Sequence, residues 1–126
     1  YRRSVIIFWN TSADGIIDYL RKHKVNLSSS SEATIKELCS EESTSGITFS
    51  VDTNPDVVIS LKHKPTAEST GTVGCLMHEL LHALDAICHQ IDPEDMMFDK
   101  KGASEARAYL FEYMVSEALH AIKITK

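Results

Sequence analysis

The chain has 126 residues, 43% of them hydrophobic and 25% charged, with a formal net charge of −5. That length fits one globular domain and excludes two full-sized cores, and the composition excludes an intrinsically disordered chain. The acidic balance argues against a partner made of nucleic acid or anionic lipid, and no apolar run reaches the roughly 20 residues of a membrane span. Three cysteines, Cys39, Cys75 and Cys88, do not suggest a disulfide framework and point to a reducing, cytoplasmic setting. The first residue is Tyr1, so a leader removed upstream stays compatible with the sequence.

Ser4 to Trp9 is a β-branched and aromatic run and reads as a buried strand. Thr11 and Ser12 then offer helix caps, with Asp14 in the first turn, Ile16, Ile17 and Leu20 at helical spacing, and basic residues from Arg21 to Lys24 at the end. Ser29 with Glu32 predicts a capping box that opens a second short helix through Ile35 and Leu38. Gly46 to Val51 and Asp56 to Leu61 alternate as strands, and the turn residues 52–55 between them predict a hairpin. A polar loop from Lys62 to Gly71 leads to a long helix from about Thr72 to Gln90. A surface loop from Ile91 to Gly102 follows, then a final helix from about Ala103 to Ile122. The whole is one α+β domain over 1–126, with a strand, helix and hairpin half (1–71) and a half of two long helices (72–126).

His78-Glu79-Leu80-Leu81-His82 is an HExxH sequence inside the strongest helical pattern of the chain. Histidines at i and i+4 lie one turn apart on one face, where both imidazoles can reach one Zn²⁺; the glutamate between them is placed to take a proton from a zinc-activated water. A chance match arises in roughly 2% of shuffles of this composition. At about 100° per residue, Cys75, His78, His82, Asp85 and His89 share one stripe, with Leu76, Leu80, Ala83, Leu84 and Ile87 opposite. A merely solvated face would carry Lys and Glu instead.

A catalytic zinc takes three protein ligands and an open position. The metzincin pattern would put the third ligand six residues after His82, where Cys88 stands, and a glycine where Asp85 stands, so that subclass is disfavoured. A glutamate from the last helix is the alternative, and Glu105 is the best candidate, with 22 residues between it and His82. Glu105, Tyr109, Glu112 and Ser116 form one stripe; Leu110, Met114, Val115, Ala118 and Ala121 supply a packing side. Two antiparallel helices could thus turn their polar stripes toward one metal. Asp85 can orient a ligand imidazole, ligate directly or form an ordinary salt bridge. Tyr109 either donates to a developing oxyanion or packs its ring between the helices. Glu112 is a lesser candidate ligand. His23, His63, His89 and His120 are assigned no function, and GxSxG, P-loop and GxGxxG motifs are absent.

HELLHALD followed by SEARAYLFEY resembles the gluzincin-type zinc metallopeptidases in a minimal form, as in small phage- or bacterium-encoded peptidases. The mitochondrial metalloprotease family that processes an ATP-synthase subunit shows a similar HExxHxxD and SExRA arrangement. The likeness covers Val73 to Tyr113, about a third of the chain. It implies a zincin-like fold, a sheet of about three strands packed on the HExxH helix and the C-terminal helix. It also implies Zn²⁺ held by His78, His82 and Glu105, with Glu79 as general base and acid. Some gluzincins place an aspartate four residues after the ligand glutamate; here Tyr109 stands there. The expected activity is hydrolysis of a peptide or protein substrate, extended along the strand Gly46 to Val51, with the loops at Lys62 to Gly71 and Ile91 to Lys101 setting selectivity. Two rival classes are a zinc-binding module of the same fold without useful turnover, and a helical module in which HExxH is accidental. Oligomeric state is open.

Overall fold

The computed structural model describes residues 4–40, 45–51, 56–91 and 101–122, without the side chains of 90, 91 and 101–104. Over the described residues it is α+β, with four helices and a three-stranded mixed sheet. The order is β1 (Val5–Trp9), α1 (Ala13–Lys22), α2 (Ser29–Cys39), β2 (Gly46–Ser50), β3 (Val57–Leu61), α3 (Thr70–Ile91) and α4 (Lys101–Ile122). The chain divides into two compact units, residues 1–64 and 65–126. Among the described residues no helix is long and apolar enough to cross a membrane, and all three cysteines are free thiols.

In the first unit β3 is central, antiparallel to β2 and parallel to β1. The hairpin pairing expected from the sequence is present, while its turn, residues 52–55, lies outside the described residues. A strand with neighbours on both sides favours a near-continuous apolar run over strict alternation. That is why Val57, Val58, Ile59 and Leu61 are all buried. The register lines up Ile6, Val58 and Phe49 across the three strands. This row packs with Ile16, Ile17 and Leu20 of α1, Ile35 of α2, and Val25 and Val51 into the unit's core.

Local chemistry sets the helix ends. Ser12 caps α1 by accepting from the Gly15 N–H at 3.2 Å. The helix closes with Lys24 at φ 62°, which lets the Val25 N–H reach the Leu20 carbonyl at 2.9 Å. The cap of α2 is Ser28, one residue earlier than expected, and its hydroxyl accepts from the Ser31 N–H at 3.1 Å. Glu32 is therefore no partner in a capping box; it pairs with Arg21 at 2.6 Å and joins α2 to α1.

In the second unit α3 begins at Thr70, two residues before the expected start, because Ser69 accepts from the Thr72 N–H and the Thr72 hydroxyl donates back to the Ser69 carbonyl. The start of α4 is likewise two residues earlier, at Lys101. Of the surface loop expected before it, residues 92–100 lie outside those described. The two helices pack on each other. The buried side of α3 is Leu76, Leu80, Ala83, Leu84, Ile87 and Cys88; that of α4 is Met114, Ala118 and Ile122. Ala121, expected on the packing side of α4, is exposed.

Truncating Ile16, fully buried in the first core, is expected to cost about 3 kcal/mol in urea unfolding, and a loss under 1 kcal/mol would contradict this packing. Gly74 sits in α3 with open space where a Cβ would project. Gly74→Ala should therefore stabilise the protein by about 0.5–1 kcal/mol, read as a higher urea midpoint at unchanged slope.

Candidate metal and catalytic site

The apolar side of α3 is buried, which leaves His78 and His82 exposed one turn apart, as their spacing predicts. Their Nε2 atoms are 3.2 Å apart, and the rings meet edge-on at 77° with centroids 4.8 Å apart. As a hydrogen bond this contact needs one ring to donate and the other to accept, on a face where water competes for both. As two lone pairs it fits a metal: ligand nitrogens about 2.0–2.1 Å from one tetrahedral zinc stand about 3.3 Å apart. The pair thus suits a shared cation without rearrangement of α3.

Glu79 differs from its neighbours. It is the one buried charged residue among those described, 5% exposed, and its Oε2 lies 3.9 Å from His78 Nε2. A carboxylate at the edge of the imidazole pair, withdrawn from bulk water, is placed for proton transfer beside whatever the histidines hold. Cys75, one turn before, is half-buried; burial pushes its thiol up, and the Glu79 charge adds to this.

Asp85 makes an ion pair, the third of the roles open to it. Its Oδ1 accepts from Nη2 of Arg107, which joins α3 to α4. Cys88, fully buried, adjoins the same pair. Burial pushes its thiol up most strongly; the Arg107 guanidinium, by charge and hydrogen bond, pulls it back, and Asp85 pushes it up again. Arg107 Nε is buried and has no hydrogen-bond partner among the described residues.

On α4, Glu105, Tyr109, Glu112 and Ser116 are all exposed. Tyr109 is 68% exposed, so its ring does not pack between the helices. Glu105 precedes Met114 by nine residues, half a turn away on the helical projection, whereas Arg107 precedes it by seven and shares its stripe. α4 therefore directs Arg107 toward α3 and Glu105 away from it. Among the described residues no three His, Cys, Asp or Glu side chains are arranged to hold a metal ion. The structure brings together His78, His82 and Glu79, and among the described residues neither Glu105 nor Asp85 joins them in a three-ligand group.

Arg107 is the residue that sequence reasoning passed over. Its signal lay inside the quoted motifs, since HExxHxxD supplies the acid and SExRA the base of one cross-helix pair. The chain matches no protein family, no curated protein and no solved structure. The likeness to gluzincins therefore rests on the residues of α3 and α4 alone.

Cys88 should react with iodoacetamide at pH 8 at least about tenfold more slowly in the folded protein than in urea, because the thiolate is the nucleophile and burial disfavours it. Equal rates, followed by peptide mapping, would contradict its placement.

Proposed function

We propose that this chain is a zinc-dependent peptidase whose ligands are His78, His82 and, by its likeness to gluzincins, Glu105. The observation that carries the reading is the 3.2 Å approach of the two Nε2 atoms with Glu79 buried beside them. Zinc bound there supplies Lewis-acid polarisation of a scissile carbonyl and acidifies the attacking water. Glu79 accepts the proton of that water and returns it to the leaving amine, a task suited to a carboxylate fixed at the base of the pair. Tyr109 is the candidate donor to the developing oxyanion. The partner is a peptide or protein substrate, and three free thiols fit a reducing compartment.

A second reading, a zinc-binding module without useful turnover, is favoured by one observation: Glu105 and Tyr109 lie on the exposed side of α4. Elemental analysis of protein purified without chelator, followed by a cleavage assay on the same samples, separates the readings. The peptidase reading expects about one zinc per wild-type chain, strongly reduced in His78→Ala and Glu105→Ala. Zinc retained in full by Glu105→Ala would move the third ligand to Asp85 or Glu112. Glu79→Gln should keep its zinc and lose about 10²- to 10⁴-fold in cleavage of an unfolded protein substrate. Zinc without cleavage in the wild type establishes the binding module, and no zinc under any loading condition ends both readings.

A further inference from the structure

We propose that the cleft at the carboxyl ends of β1 and β3 binds a small carboxylic acid, a monoanion carrying a short apolar group. The cleft lies wholly within the first unit, and neither a metal nor the peptidase reading enters the argument.

The core face of the sheet is built in rows across the three strands. Ile6, Val58 and Phe49 form one row, packed into the core. The next row on that face is Phe8, Ser60 and Ile47. The central strand thus changes from valine to serine near the place where α2 ends at Cys39. Packed interiors leave few gaps. Here the smaller, polar residue borders a cleft of about 300 Å³, at the lower end of the sizes that small-molecule sites occupy. β1 and β3 are parallel and both run out at this cleft, the side on which parallel strands of open sheets present ligands.

The lining gives the chemistry of the occupant. Ser60 is the one polar side chain of β3 and is half-buried, yet its hydroxyl has no hydrogen-bond partner among the described residues. A polar group set into a core strand calls for a partner, and a ligand in the cleft supplies it. Asn10 and Ser45 add donors at the exposed rim. Asn10 stands at φ 53°, with its N–H on the Leu61 carbonyl at 3.1 Å; such left-handed settings of non-glycine residues gather at ligand sites. The chain holds 18 Asp and Glu, but the described lining includes none, and its one charged residue is Lys62. A single cation with neutral donors suits the single charge and two oxygens of a carboxylate; a phosphate dianion would ask for more positive charge. Leu38 and Ile47 offer an apolar wall to the rest of the molecule.

The test is amide NMR of the full chain, titrated with butyrate and benzoate and with their neutral counterparts butyramide and benzamide. Saturable shifts at Thr11, Ser60 and Lys62 are expected, with Kd about 1–10 mM for the acids and at least about fivefold weaker for the amides. Ser60→Val fills part of the cleft and removes the hydroxyl, so it should weaken benzoate about tenfold while the urea midpoint is kept or raised. Lys62→Gln should weaken both acids about fivefold and erase their advantage over the amides. Lys22→Gln, in the last turn of α1, removes an exposed positive charge away from the cleft and should change nothing. Should Ser60→Val fail to fold, Lys62→Gln decides. Shifts that do not saturate by about 50 mM, or that are equal for acids and amides, overturn the proposal and leave a cleft filled by water. Undiminished binding in folded Ser60→Val, or equal weakening by Lys22→Gln, overturns it as well.

Discussion

Leu76, Leu80, Ala83, Leu84 and Ile87 are buried along one side of α3, and their burial holds the helix against rotation about its own axis. Each large apolar side chain contributes about 1.5–3 kcal/mol when fully buried, so turning α3 by one residue position would forfeit several kcal/mol. Nothing on its polar side matches that. A contact between two exposed imidazoles amounts to about 1 kcal/mol at most. The histidines therefore point where the leucines leave them, and Glu79, at the border of the two faces, is drawn under cover with the apolar side. The candidate site is a by-product of helix burial in its placement, though not in its chemistry.

α4 lacks so firm a hold. Only Met114, Ala118 and Ile122 are buried along its described length, toward its C-terminal part, while Tyr109 and Tyr113 stand exposed. Near its N-terminal end Arg107 reaches Asp85 of α3, a polar contact at the margin of solvent. The two helices that would share a metal are thus unequal. One buries apolar side chains from Leu76 through Cys88, the other only toward its C-terminal part among the described residues.

This inequality accounts for what the sequence disclosed and what it hid. The element order, the strands to within one residue at an end, and the buried side of α3 follow from periodicity, because each rests on a run of apolar residues with one dominant spacing. Glu79 and the two histidines followed from their motif. The parallel pairing of β1 with β3 did not, since alternation within a strand says nothing about its neighbour; only the unbroken Val57-Val58-Ile59 run hints at a central position. The α2 cap was ambiguous among four consecutive serines, and the early start of α3 depends on hydroxyl contacts of Ser69 and Thr72 where no apolar residue marks a boundary. The phase of α4 was least legible. Apolar and aromatic residues surround its axis, so the stripe of Glu105 and the stripe of Arg107 both have plausible company.

α3 is also uneven along its length. From Thr70 to Cys75 it has no fully buried residue and includes Gly71 and Gly74, whereas burial begins at Leu76 and recurs through Cys88. Amides in the first two turns should thus exchange with solvent through local fraying, and those beyond Leu80 only through larger openings. The His78 amide hydrogen-bonds back to the Gly74 carbonyl by the i to i−4 rule, which puts His78 at the edge of the soft turn and His82 in the stiff one. A ligand shared by the two rings would act as a staple across that junction. It would slow exchange one turn upstream of itself, in a part of the helix that it does not touch.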